Sequence, residues 1–392
     1  MTITFISNFF NGHVRPICDA FHLMPDVTFI FIATTEMNEI RLSMGLSDEN
    51  HSRTFIVRAY ESQENHKLAK HIASTSDVVI IGSASDDFIK NRLYKNKLTF
   101  KYAERFYKTS FSWKNWIRRY IGALIHYRRF QRRILYILCA SAYTAADVNL
   151  FSNFKERCFK WGYFTKVDKD FKLEAPEPGA SSSEITPLMW CARFLSWKHP
   201  ELPVQLARRL KDKGYKFVLD MYGSGVEFER TQKLASDLDV CDVVNFCGVL
   251  PNDQILEQMK KHEIFLFTSD FNEGWGAVLN ESMSCGCVPV ASHAIGSVPF
   301  LIEDGVNGLI FENENLNSLT EKVEFLFTHP CECFIMRQQA VKTMQEQWNA
   351  ENAAKRFVAL VQVILNGDEH LDLFNDGVCS QARVLKNDWY RK

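Results

Sequence analysis

Glu273 and Glu281 stand eight residues apart, with Gly274-Trp275-Gly276 between them and the apolar run Ile264-Phe265-Leu266-Phe267 just before. That run reads as a buried parallel strand and residues 276–286 as a helix, so the two glycines fall where strand passes into helix. At such a turn the backbone can approach a ligand closely, and the N-terminal N–H groups and dipole of the helix favour an anion such as a phosphate. One carboxylate lies in the loop and the other a little over two turns into the helix, placed to reach different parts of one ligand. A second set of charges, Arg193 and Lys198, follows the strand-like run 188–192. Arg offers a fork to phosphate oxygens and Lys a point charge, the pair of cations that a diphosphate needs. The plain alternatives are a surface loop with two solvated carboxylates and another with two solvated cations.

Loops of this kind need sheets to hold them. Strand-like runs at 3–7, 27–33, 54–60 and 78–82 alternate with helix-like segments such as 63–74. After the Pro, Gly and Ser-rich stretch 174–183 the rhythm restarts, with strands at 188–192, 217–222, 243–247, 264–267 and 288–292 and helices between them. This pattern predicts an α/β fold with mainly parallel sheets, and 392 residues suit two domains. The expected boundaries are 1–173, a linker at 174–187, 188–366, and a tail at 367–392 without a pattern. The loop after the first strand, with Gly12 and His13, falls where such sheets take ligands.

In this order the parts resemble one family. Glu273 and Glu281, followed by Cys285-Gly286-Cys287-Val288-Pro289, look like the E-x7-E signature of retaining glycosyltransferases of the GT-B fold, family 4, of the kind used in bacterial surface polysaccharide synthesis; the agreement runs from Leu188 to Phe311. The resemblance implies two Rossmann-like domains facing across a cleft, the first binding an acceptor and the second a nucleotide-sugar donor, with a C-terminal helix crossing back to the first. It implies that Glu273 sits by the reacting carbon as a catalytic residue together with His13, and that Glu281 holds the ribose. Arg193, Lys198 and Gly276 would meet the diphosphate, with Gly12, Gly248, Val249, Gly274 and Trp275 also donor-binding. Asn11 replaces one of the family's usual pair of glycines in the first loop. Trp197 and His199 replace the acidic residue and glycine that often flank the lysine. Gly223-Ser224-Gly225 is a weak dinucleotide signal, because position 228 is Phe.

The activity so implied is transfer of a sugar, with retained configuration, from a nucleotide diphosphate sugar to a hydroxyl of a lipid-linked or oligosaccharide glycan precursor. No metal and no cofactor are expected. A GT-B epimerase or hydrolase of nucleotide sugars, and a non-catalytic membrane-bound partner in glycan assembly, are readings from other classes.

Charge adds a surface to this picture. The whole chain is nearly neutral, 46 Lys and Arg against 47 Asp and Glu, which gives no sign of a nucleic-acid partner. Between residues 90 and 133, however, fourteen Lys and Arg face the single acid Glu104, interleaved with aromatics such as Tyr94, Phe111, Trp113 and Trp116. Such a mixture suits an anionic membrane surface. A partly solvated helix whose rings pack on its own domain, and a surface that stacks on nucleic acid and meets its phosphates, are the alternatives. The start of the chain lacks the features of a signal peptide, and the apolar run 134–146 is too short to span a bilayer. A cytoplasmic protein, peripheral at the inner face of the membrane, is expected. Eleven cysteines without a C-x-x-C pair point to reduced thiols and against a zinc site.

Overall fold

Short runs of β-branched and aromatic residues, apolar on both faces, make parallel strands buried between helices. The computed structural model describes residues 1–37, 48–108, 113–174, 185–368 and 371–391. Most of the expected linker, residues 175–184, and Phe111 lie outside these. The chain divides into two compact units, Met1–Lys166 with Trp348–Lys386, and Val167–Gln347 with Asn387–Lys392.

In unit 1 seven strands run parallel: β1 (Thr2–Ser7), β2 (Thr28–Ala33), β3 (Ile56–Arg58), β4 (Val78–Ile81), β5 (Thr99–Ala103), β6 (Leu135–Cys139) and β7 (Cys158–Lys160), in the order β3-β2-β1-β4-β5-β6-β7. The winding reverses between β1 and β4, which opens the loop after β1 at the switch point. The helix Ala350–Leu365 belongs to this unit and packs on the helix Arg15–His22. Its Phe357 meets Phe21, Phe100 and Trp161 with ring centroids 5.4, 4.8 and 5.7 Å away.

Two expectations need correcting here. The strand at 54–60 contracts to Ile56–Arg58. The segment 90–133 is not one basic face: it contains β5, and its Arg92 is 1% exposed. Part of the tail pairs with β7: Cys379 N donates to Lys160 O and Lys160 N to Ser380 O, both at 2.8 Å, which lays the chain antiparallel beside that strand.

In unit 2 six strands run parallel: β8 (Thr186–Cys191), β9 (Phe217–Tyr222), β10 (Val244–Gly248), β11 (Ile264–Phe267), β12 (Val288–Ser292) and β13 (Leu309–Phe311), in the order β10-β9-β8-β11-β12-β13. Here the reversal lies between β8 and β11, so the loops that follow these two strands are neighbours. One carries Arg193 and Lys198, and the other Glu273. The glycines after β9 serve the first of these loops. Gly223 and Gly225 have φ of +132° and +153°, and a Cβ on them would lie 2.0 Å from Ala192 O and 2.4 Å from Phe194 O. Only glycine lets the backbone come so close, and Phe194 N then donates to Ser224 O at 2.8 Å.

Candidate functional site

The switch point of the second sheet brings Lys198 and Glu273 into an ion pair, each side chain 10% exposed. Ser269 Oγ donates to the same carboxylate oxygen at 3.1 Å. Burial of two charges is costly unless geometry and further hydrogen bonds compensate, and the surroundings supply both. Thr268 Oγ1 donates to Lys198 O at 2.7 Å while accepting from Trp190 Nε1 at 3.0 Å, and Asp270 N donates to Trp197 O at 3.0 Å. The ammonium also lies 4.4 Å from the centroid of Trp197. Thr268 and Ser269 escaped the sequence reading; their only signal is that they follow β11 directly.

Gly276 has φ +82°, and a Cβ on it would come within 2.4 Å of Phe267 Cζ. The turn is therefore closed to any other residue, and Glu273 stays beside the end of β11. The helix expected over 276–286 is shorter, Val278–Ser284. Its first turn begins beyond the glycines because Gly276 is in the left-handed region. The N–H groups of Gly274, Gly276 and Ala277 donate to no other described residue. Trp275 turns its indole inward, 1% exposed, and donates from Nε1 to Asn280 Oδ1 at 2.8 Å. The side chain is a packing element. Cys285 and Cys287 are buried as packing residues, and all eleven thiols are free.

Glu281 lies in the first turn of that helix and accepts from Asn252 Nδ2 at 3.2 Å. Burial pushes its carboxyl up to about 7, against the weaker opposing effect of Asn252. A raised acid pKa contributes stability that is full below the ordinary value of 4.5 and is lost as pH rises through about 7. Glu281→Gln should therefore be more stable than the natural protein at pH 8 by on the order of 2 kcal/mol, the gain fading towards pH 4.5. Urea unfolding at the two pH values measures this; equal stability at pH 8 would mean that Glu281 is solvated. Cys191, at the end of β8, feels both Glu281 and Lys198, while burial pushes its own thiol up to about 12.

Arg193 is exposed, and its guanidinium has no partner among the described residues. Val249, 68% exposed, follows Gly248, whose carbonyl accepts from Gly223 N at 2.7 Å. In unit 1, Gly12 and His13 are exposed on the loop after β1, and the His13 ring stacks on Tyr163 with centroids 5.3 Å apart. A Cβ on Gly12 would meet only Glu49 Oε1, at 3.9 Å, so nothing in its own unit requires glycine there.

Among the described residues one group has metal-ligand spacing: His199, Asp270 and Glu314, with ligand atoms within 4.8 Å of one another. His199 adopts φ +49° beside Lys198, and its Nδ1 bonds Glu201 Oε1 at 2.8 Å. Burial would lower the imidazole pKa, yet Asp270 and Glu201 outweigh it and carry it to about 9. Its Nε2 faces Asp270 at 3.7 Å and Glu314 at 3.8 Å. The group sets the His199 ring among three carboxylates beside Lys198.

Residues 184–347 match the family described as glycosyl transferases group 1, a stretch that covers both loops of the site. A D-inositol 3-phosphate glycosyltransferase of Streptomyces bingchenggensis is 29% identical over 109 residues, 28% of this chain and 24% of that protein. A GDP-mannose-dependent alpha-(1-6)-phosphatidylinositol monomannoside mannosyltransferase of Mycolicibacterium smegmatis is 24% identical over 173 residues, 42% of this chain and 44% of that one. The chain thus spans less than half the length of either relative. Among solved structures, Anabaena Alr3699/HepE in complex with UDP is similar at a TM-score of 0.67 and 13% identity, covering 92% of this chain and 100% of that one. Likeness at that identity speaks to fold alone, and the fold is of the GT-B class, with two α/β units built on parallel sheets.

Proposed function

We propose that the chain is a retaining, metal-independent glycosyltransferase that moves a sugar from a nucleotide diphosphate sugar to a hydroxyl acceptor. The observation that carries this reading is the meeting of Lys198, Glu273 and the glycine turn at the switch point of the second sheet. Lys198, Arg193 and the N–H groups of residues 274–277 neutralise the charge that grows on the leaving diphosphate, so that protein groups supply what a metal would otherwise supply. Glu273 lies against the reacting carbon and Glu281 on the ribose hydroxyls. The bond from the sugar carbon to the diphosphate breaks as the acceptor oxygen attacks the same face, and the acceptor proton passes to the departing phosphate.

A lipid-linked or oligosaccharide glycan precursor is the proposed acceptor, met at an anionic membrane surface. The helix Trp113–His126 supports that location. Its Ile117, Ile121 and Ile125 follow one another at single turns, 37%, 49% and 45% exposed, beside the exposed Lys114, Arg118, Arg128 and Arg129. No helix among the described residues is long and apolar enough to cross a membrane.

A thermal-shift panel of nucleotide sugars tests the donor reading. HepE binds UDP, which makes UDP-sugars the first probes. A donor at a hundred times its dissociation constant stabilises by about 2.7 kcal/mol, and Glu281→Ala should abolish that shift. No shift with any nucleotide sugar would favour a non-catalytic partner, and rapid donor turnover without acceptor would favour an epimerase or hydrolase.

A further inference from the structure

Unit 1 holds a cavity of about 580 Å³ between the end of β5, the segment 104–107 and the helix Trp113–His126. Charges and rings alternate along its wall. Lys101 Nζ lies 4.9 Å from the centroid of Tyr127, the Arg119 guanidinium 4.9 Å from that of Tyr107, and Phe106 stacks on Tyr127 at 5.5 Å with an interplanar angle of 13°. Contacts of this kind fix the direction of a cation. The lining carries four permanent cations, Lys101, Arg105, Arg118 and Arg119, against one carboxylate, Glu104.

Neighbouring groups reduce this excess without removing it. Asp86 pairs with Lys101 at 2.8 Å, Asp147 lies 3.9 Å from Arg105, and Lys108 holds Glu104 at 3.1 Å. With these included, five cations still face three carboxylates. Part of the Asp147 charge is spent on the backbone, because its Oδ2 accepts from Phe106 N at 3.0 Å and Tyr107 N at 3.1 Å, which fixes the segment that forms the wall. A concave site with apolar walls concentrates the field of such an excess.

We propose that this cavity is a second anion site, which takes a phosphate or diphosphate ester whose organic part lies against Phe106, Tyr107 and Tyr127. The volume admits a ligand well beyond inorganic phosphate, and Phe106 is 37% exposed, which leaves ring surface for an apolar or sugar moiety. Resting on the glycosyltransferase reading, the site holds the phosphate-bearing end of the acceptor.

Gly122 provides a clean test. It lines the cavity from within the helix, and a Cβ on it would meet nothing within 4 Å. Gly122→Leu should fill the space while favouring the helix, so loss of folding is not expected. The full chain is titrated with farnesyl diphosphate, glucose 1-phosphate and inorganic pyrophosphate. Binding in the natural protein should fall by about tenfold or more in Gly122→Leu, and likewise in Arg118→Gln/Arg119→Gln, with nucleotide-sugar binding unchanged in both. Tighter binding of farnesyl diphosphate than of glucose 1-phosphate assigns the organic part to a lipid, and the reverse assigns it to a sugar. If no probe binds, or if Gly122→Leu binds all three as the natural protein does, the site is refuted whatever the donor panel gives. A chain that binds the probes but no nucleotide sugar keeps the cavity and loses the glycosyltransferase reading.

Discussion

Lys198→Ala should lower turnover by about 10²–10³ with saturating donor, the loss found when one preorganised charge donor to a transition state is removed. It should also cost about 3–5 kcal/mol of stability, because it leaves the Glu273 carboxylate buried with Ser269 Oγ but no cation. The two effects separate in a second variant. Lys198→Met with Glu273→Gln removes both charges and keeps similar volumes, so it should recover most of the stability and none of the activity. Glu273→Gln alone should depress turnover more than donor affinity if, as proposed, the carboxylate acts on the reacting sugar. Lys198 is held on Glu273, and on the proposed reading donor binding moves the ammonium from carboxylate to phosphate. Natural rates in Lys198→Ala at saturating donor would show that the diphosphate is held elsewhere. Unchanged stability would show that the ion pair is solvated.

The strand-to-helix turn of the second sheet was legible because it is local. Glu273, Gly276 and Glu281 lie within nine residues of one another after an apolar strand, and the two sheets announce themselves through their alternation with helices. Arg193 and Lys198 could be matched to the other loop for the same reason. What stayed hidden depends on partners distant in the chain. The resemblance groups Trp275 with the donor-binding residues; its indole finds Asn280 and stays in the core. Trp197 and His199 looked like departures from a family pattern, but they build the surroundings of Lys198, one by its ring and the other through Asp270, Glu201 and Glu314. The tail carried no period at all. Its Tyr390 nevertheless stacks on His293, centroids 3.7 Å apart, and donates to Glu312 at 2.7 Å. The basic segment misled most, because a count of charges along the chain ignores which of them are spent on the fold.

Arg92 is the clearest of those, and substituting it should have a large effect on stability. It is 1% exposed, and burial draws its pKa down to about 10 although Asp77 supports the charge. The guanidinium serves as a cap. From Nη1 it donates to Ala73 O at 3.0 Å and Ser76 O at 2.6 Å, the unsatisfied carbonyls at the end of the helix Gln63–Thr75. From Nη2 it reaches Asp77 O at 2.7 Å and Leu98 O at 2.6 Å, and from Nε Thr99 Oγ1 at 3.1 Å, which ties that helix end to the start of β5. Lys97 adds a bond to Ser74 O at 2.8 Å, so two cations sit at the negative end of the helix dipole. Arg92→Met keeps the length of the side chain but leaves these acceptors buried without donors. It should cost about 3–5 kcal/mol, read from the earliest transition in urea, since two units need not unfold together. Arg92→Lys keeps the charge with fewer donors and should fall between. Lys90→Met, at an exposed position of the short helix Lys90–Tyr94 that carries Arg92, should shift that transition by no more than about 0.5 kcal/mol. If Arg92→Met unfolds with Lys90→Met, the carbonyls are satisfied by water, and Arg92 returns to the surface charge from which the sequence could not distinguish it.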